Sequence, residues 1–423
     1  MLKKEILELI YNYLLENDNA NDSSDIVTVS GAVISPEDIY ATINTALDGW
    51  FTEGKKCAEF SSMLEKQVGV RNAILCNSGS SANLLAVTAL KEHYKNKDGM
   101  KVITNATGFP TTIAPIVQNN LIPLFVDCDL QTLNVKSYEI AALPQSDDVA
   151  GIILAHTLGF PYDSRFIAKT CKKFGRWFVE DCCDALGAKI YDIPVGSFGD
   201  VSTHSFFPAH QITTGEGGAV LTNNNKLAKV ISSYNSWGRN CWCKPGQDNT
   251  CGKRFNHNIE GLPHGWDHKY TFSRLGYNLK MTELQGALGV SQLSNLNFFV
   301  KRRLENFKFL YENLIDLASD FDLVEIPHWA TPSPFGFPII IMQGISRIKF
   351  VDYLEQAGIR TRPIFAGNIT RQPMMKNVNY DVHGTLLNSD YIMNNAFWIG
   401  CHPGLSKKKL EYVVDKIFEL TAM

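Results

Sequence analysis

No run of apolar residues in this chain approaches the roughly 20 that a bilayer-spanning helix needs; the longest, at 335–342 and 149–155, fall well short. Charge of one sign is not in excess either. Forty Lys and Arg stand against 43 Asp and Glu, for a net charge of −3, which argues against a nucleic-acid footprint or a membrane-surface protein. The opening MLKKEILELIYNYLLEND sets Glu5, Glu8 and Glu16 among its apolar residues, whereas the apolar segment of a signal peptide carries no acids. A cytoplasmic protein is expected. In such a compartment ten cysteines do not form a disulfide framework. A phosphate-binding Gly-Lys-Ser/Thr loop, a G-x-G-x-x-G nicotinamide fingerprint, internal repeats and low-complexity tracts are all missing.

What is present is a chain of 423 residues, 45% hydrophobic and 11% aromatic, long enough for two or three domains with a large core. Residues 1–34 read as an amphipathic helix followed by a polar linker at 17–24. Ser35-Pro36-Glu37-Asp38 is a helix start, with a hydroxyl cap, Pro at the first helical position and acids in the first turn. From about Asn72, short apolar runs (73–77, 102–104, 124–127, 151–156, 177–181, 201–206) alternate with helical segments. That alternation predicts an α/β domain over 35–295 built on a mainly parallel sheet with helices on both faces. Thr282 caps one further helix and a long one begins near Leu296. The composition then restarts with strand and helix patterns, so 296–423 reads as a linking helix and a small C-terminal α+β domain.

Three segments carry chemistry. Asn77-Ser-Gly-Ser-Ser-Ala-Asn83 joins a strand to a helix, where free N–H groups and the Ser80 and Ser81 hydroxyls suit a phosphate; a plain capped turn fits the same residues. Asp181 closes an apolar strand, where open α/β sheets hold ligands. A carboxylate there can keep a pyridinium nitrogen protonated, or simply cap the next helix. Ser205 ends another strand, and a tight loop then exposes His210 before a glycine-rich turn.

Together with Gly49-Trp-Phe-Thr-Glu-Gly54, Thr107-Gly-Phe109-Pro-Thr-Thr, Gly276-Tyr-Asn278-Leu-Lys-Met and Gly358-Ile-Arg-Thr-Arg-Pro363, these segments resemble the DegT/DnrJ/EryC1/StrS sugar aminotransferases over roughly residues 35–423. The resemblance implies a fold-type I pyridoxal-phosphate enzyme, of the aspartate aminotransferase-like architecture. It implies that Ser80, Ser81 and Ser205 hold the cofactor phosphate, that Phe109 stacks on the pyridine ring and that Asp181 pairs with its nitrogen. Position 184 normally touches the phenolic oxygen of the ring as Gln; here it is Asp184. Asn278 would reach the phosphate of a neighbouring subunit, which implies a homodimer.

His210 departs from the aminotransferase pattern. It stands where those enzymes carry the lysine of the internal Schiff base, and an imidazole forms no such imine. The cofactor would then be held noncovalently as pyridoxamine 5′-phosphate, with His210 as general base. That change resembles the sugar 3-dehydratase branch, in which the amine condenses with a 4-keto sugar, His210 takes a C4′ proton and the C3 hydroxyl leaves.

The segment 236–270 lengthens the connection between His210 and Asn278 and brings three cysteines, Cys241, Cys243 and Cys251, into eleven residues. Thiolates so spaced suit a soft metal. Cys183, between Asp181 and Asp184, is the preferred fourth ligand, and its neighbour Cys182 is not separable by spacing. Gaps of 57, one and seven residues between Cys183, Cys241, Cys243 and Cys251 resemble the [2Fe–2S] motif of the iron–sulfur 3-dehydrases of CDP-linked 4-keto-6-deoxyhexoses; structural zinc is the competing metal. The resemblance implies electrons from a separate NADH-dependent flavin/iron–sulfur reductase. Arg360, Arg362 and Asn368 face either substrate or solvent.

Overall fold

The computed structural model describes residues 2–16, 26–143, 146–317, 320–342 and 344–422; the linker read at 17–24 lies outside them. An eight-stranded sheet forms the centre of the large domain. Its strands are β1 (Asn72–Cys76), β2 (Lys101–Asn105), β3 (Ile122–Val126), β4 (Val149–Ala155), β5 (Trp177–Asp181), β6 (Val201–Ser205), β7 (Gly218–Thr222) and the late strand Asp381–Val382. The spatial order is β1-β7-β6-β5-β4-β2-β3 with Asp381–Val382 at the far edge. Only β7 pairs antiparallel with its neighbours, β1 and β6; the other pairings are parallel.

Residue alternation explains why this sheet is covered on both sides. Val102, Ile153 and Val179 enter one core with Ala82, Leu85, Ala86 and Leu90 of the Gly79–His93 helix. Their chain neighbours Ile103, Ile152, Leu154 and Phe178 enter another with Ile140 and Ile167. Successive side chains leave opposite faces of a strand, and a parallel sheet buried on both faces selects continuous apolar runs. The helix starts form as expected. Ser35 and Thr282 each make reciprocal capping boxes, with Asp38 and Gln285, and Ser406 caps Lys407–Thr421.

The long helix Leu296–Leu314 contributes Phe307, Leu310 and Leu314 to the core of the small C-terminal domain. That domain is a four-stranded antiparallel sheet, ordered Phe321–Leu323, Phe337–Ile341, Ala396–Ile399, Thr361–Arg362. Within the apolar-flanked run 359–364 only Thr361–Arg362 pairs as strand. No helix among the described residues is long and apolar enough to cross a membrane.

Arg303 in that long helix is 1% exposed. Its guanidinium donates to four carbonyls: Ala209 (3.1 Å) and His210 (3.0 Å) from the loop after β6, and Pro334 (3.2 Å) and Phe335 (3.0 Å) from the small domain. Removing one buried donor strands its acceptors at about 1–3 kcal/mol each. Arg303→Met is therefore expected to lower unfolding free energy by about 3 kcal/mol or more, read from urea midpoints; a loss under about 1 kcal/mol would show the carbonyls find other partners.

Candidate active site

A cavity of 500 Å³ opens at the carboxyl ends of the parallel strands, between them and the small domain. Its floor begins at the Gly79–His93 helix. Ser78 caps that helix, its Oγ accepting from the Ser81 N–H at 3.1 Å and lying 3.0 Å from the Ser81 Oγ. The cap occupies Ser81, while Gly79, Ser80 and Ser205 line the cavity. Ser80 donates to the Thr111 hydroxyl at 3.0 Å. Gly79 is required by close approach: a Cβ there would lie 2.5 Å from the Ser205 Cβ and 2.9 Å from the Cys183 Sγ. The helix N-terminus, its partial positive charge and two hydroxyls thus meet at one point, a donor set that fits a phosphate monoester.

Asp181, the last residue of β5, is held by three donors. Asn83 Nδ2 (2.9 Å) and Thr112 Oγ1 (2.7 Å) reach its Oδ2, and the Cys183 N–H reaches Oδ1 at 3.2 Å. Asn83 is fixed in turn by the Thr203 hydroxyl at 2.6 Å. Asn83 and Thr112 fall inside motifs recognised in the sequence, yet nothing in residue type or spacing gave them a role; their contact with Asp181 is tertiary. Phe109, half exposed at the start of the Pro110–Gln118 helix, lines the cavity with its ring edge toward Phe365. Arg362 also lines it. Arg360 instead pairs with Glu355 at 2.8 Å, and Asn368, fully buried, bonds Asp390 and Thr370, so neither faces the cavity.

His210 and Asp184 stand at one wall, His210 Nδ1 3.4 Å from Asp184 Oδ1. Burial, helped by the Arg303 guanidinium, pulls the His210 pKa down to about 3. Burial, then the nearby Asp181 charge, pushes Asp184 up to about 8. The pair is thus two neutral groups near pH 7 rather than an ion pair, and the imidazole is held as a base. Gln211, next in sequence, fastens this wall by donating to the Asp184 and Ser333 carbonyls. At Gly159, φ +83° and a Ser333 oxygen 2.0 Å from any added Cβ admit no side chain. No lysine lines the cavity among the described residues.

The remaining sequence candidates lie elsewhere. Asn278 is exposed, takes a bond from Lys280 and bridges Ser236 at the root of the cysteine loop; it does not line the cavity of its own chain. Around it Trp237, Phe272 and the 97%-exposed Leu275 stand open to solvent. Within the loop each sulfur accepts a backbone N–H at 3.4 Å: Cys241 from Cys243, Cys243 from Thr250 and Cys251 from Lys253. Burial holds the Cys241 thiol up, while the Thr250 contact brings Cys243 down, and three sulfurs in one short loop are a donor set that fits a soft metal. Cys183 lies on the cavity floor beside Gly79, in no group of three donors within 4.8 Å among the described residues. Cys182 is fully buried near His156 and Glu180.

The mainly parallel sheet, the small domain and the cavity at their junction define a fold-type I enzyme of the pyridoxal-phosphate class. Comparison with known proteins agrees. The DegT/DnrJ/EryC1/StrS aminotransferase family model matches residues 33–418, and the chain belongs to that family. It is 44% identical to the lipopolysaccharide biosynthesis protein RfbH of Salmonella typhimurium, over 99% of this chain and 98% of that protein. It is also 44% identical to the dTDP-4-dehydro-2,6-dideoxy-D-glucose 3-dehydratase of Saccharopolyspora spinosa, over 99% and 92% respectively. Among solved structures, E. coli GDP-4-keto-6-deoxy-D-mannose-3-dehydratase with bound hydrated PLP superposes with a TM-score of 0.83 at 26% identity, covering 92% of this chain and 98% of that one.

The Asp184 shift has a thermodynamic consequence. Because its pKa rises from 3.8 to about 8 on folding, the folded state binds the proton more tightly, and this contribution to stability falls as pH climbs through that window. His210 has the opposite sign, its pKa falling from 6.5 to about 3, and adds no slope above about pH 7. Between about pH 7 and 8.5 the thermal midpoint of the wild type should therefore fall more steeply than that of Asp184→Asn. Parallel curves would show that Asp184 is ionised throughout.

Proposed function

We propose that this protein is a nucleotide-sugar 3-dehydratase that acts on a 4-keto-6-deoxyhexose with pyridoxamine 5′-phosphate, in the biosynthesis of 3,6-dideoxysugars for a surface polysaccharide. A CDP-linked substrate is the favoured one, a dTDP-linked sugar the alternative. The observation that carries this reading is the half-buried imidazole of His210, 3.4 Å from Asp184, at the wall of a cavity that no lysine lines among the described residues. The names of the relatives, two of them sugar 3-dehydratases, support the reaction class.

When bound, the cofactor supplies an amine for the 4-keto carbon and a ring that accepts electrons from C4′. The residues of this chain do the rest. Gly79, Ser80 and Ser205 anchor the phosphate, with Ser81 holding the cap that orients them. Asp181, fixed by Asn83 and Thr112, keeps the ring nitrogen protonated. Phe109 covers the ring face. His210 removes the C4′ proton, which its unprotonated state permits near neutral pH. Asp184, protonated at the same pH, is a hydrogen-bond donor toward the ring oxygen where the usual residue is Gln. Asn278 and the exposed Trp237, Phe272 and Leu275 support a homodimer in which this edge meets the partner's cavity.

Three loop cysteines, Cys241, Cys243 and Cys251, support a [2Fe–2S] centre, with Cys183 the fourth donor suggested by sequence spacing. Loss of the C3 hydroxyl leaves an unsaturated product two electrons short of a 3-deoxysugar. The cysteines Cys183, Cys241, Cys243 and Cys251 would hold an iron–sulfur centre able to supply those two electrons one at a time, and an NADH-dependent flavin/iron–sulfur reductase would be their source. We place the enzyme in the cytoplasm, with its domains at 35–295 and 296–423 preceded by the 1–34 segment. The likeness to GDP-4-keto-6-deoxy-D-mannose 3-dehydratases favours a second reading, dehydration without a redox step; iron and sulfide analysis of anaerobically purified protein separates the two.

His210→Asn should still bind pyridoxamine phosphate and the sugar nucleotide but lose exchange of the C4′ proton with solvent. Deuterium retained at C4′, followed by mass spectrometry, checks this. Exchange at the wild-type rate would move the base to another residue.

A further inference from the structure

Val29 and Ser30, which precede the region matched by the family model, line the cavity. They belong to a short strap, residues 27–33, that is anchored in both domains. At its start the Val27 N–H donates to the Gly358 carbonyl at 3.0 Å, and the Val27 carbonyl accepts from the Arg360 N–H at 2.9 Å. The Thr28 hydroxyl lies 3.0 Å from His402 Nε2, and a Cβ at Gly400 would lie 2.2 Å from the Thr28 carbonyl oxygen. At its end the Val33 carbonyl accepts from Gln292 at 3.0 Å, and the same amide donates to Asp38 at 2.6 Å. Gly31, Ala32 and Val33 share a small cleft with His210. A segment tied at both ends holds its middle residue in place, which is what a substrate contact needs.

Ser30 is half-buried, and no hydrogen bond engages its hydroxyl among the described residues. The cofactor contacts and the base described above, with the groups they bond, leave Ser30, His156, Arg362 and Trp398 as the oxygen- and nitrogen-bearing side chains of the cavity wall without a role. His156 is fully buried, stacked on Tyr162 at 4.2 Å and 3.5 Å from Glu180. Trp398 spends its N–H on the Pro363 carbonyl at 3.0 Å. Arg362 carries a charge, which matches the phosphates of a nucleotide rather than a neutral sugar ring. Ser30 is the neutral group left, able both to donate and to accept.

A 4-keto-6-deoxyhexose joined to its nucleotide through C1 has ring hydroxyls only at C2 and C3. The C3 hydroxyl leaves with a proton, and a serine with no partner of its own has no source to replace a proton it gives up. The C2 hydroxyl stays through the reaction and is a lasting partner. We propose that Ser30 is a specificity-determining residue whose hydroxyl bonds the C2 hydroxyl of the sugar, so that the strap selects 4-keto-6-deoxyhexoses that keep this group over their 2-deoxy counterparts. This assignment rests on the dehydratase reading of the cavity.

The test uses the full-length protein loaded with pyridoxamine 5′-phosphate and a pair of sugars, a 4-keto-6-deoxyhexose and its 2-deoxy counterpart, each linked to CDP and again to dTDP. Exchange of the C4′ proton with deuterated solvent, followed by mass spectrometry against sugar concentration, gives a rate constant and a half-saturation for each. On the preferred nucleotide the wild type should favour the 2-hydroxy sugar about fivefold to tenfold in the ratio of the two. Ser30→Ala should lose about that factor with the 2-hydroxy sugar and change less than about twofold with the 2-deoxy sugar, whereas Ser30→Thr, which keeps a hydroxyl, should retain most of the preference. A merely structural role would lower both sugars alike. Equal loss on both, no loss on either, or a wild type that handles the two sugars equally overturns the assignment and leaves the dehydratase reading standing. Exchange with none of the four sugars overturns that reading itself, and the role of Ser30 with it.

Discussion

One buried guanidinium organises this molecule. Arg303, on the helix that links the two domains, spends four N–H bonds on carbonyls of both, and one of those carbonyls belongs to His210. A planar, permanently charged fork suits such a junction better than an ammonium, because it holds several acceptors in fixed directions. The same charge lies close to the imidazole it positions and opposes its protonation. Arg303 thus fixes the position of the proposed base and adds to the burial that keeps it unprotonated.

That arrangement also explains why two ionisable groups 3.4 Å apart need not form an ion pair. Both are enclosed, and the charged form of each is disfavoured by lost hydration. Asp184 additionally faces Asp181, whose carboxylate is committed to three hydrogen bonds. Asp181 thus serves as an acceptor for three donors, while burial holds the proton on Asp184.

Much of the fold was legible in the chain because its strands are buried on both faces, so that apolar runs such as 177–181 mark strands without ambiguity, and because the helix starts at Ser35, Thr282 and Ser406 carry their own capping hydroxyls. The cavity residues Ser80, Asp181, Ser205 and His210 were legible as strand ends or loop tips. Asn83, Thr112 and Arg303 were not, since each acts only through partners distant in sequence. Ser81 sits where expected yet serves the cap.

The central claim is that an imidazole replaces the lysine that would otherwise tether the cofactor. Intact-mass measurement after borohydride treatment in the presence of pyridoxal phosphate tests it most directly. The wild-type chain should show no covalent adduct, and His210→Lys should gain one pyridoxyl group per chain. An adduct on the wild type would contradict the account.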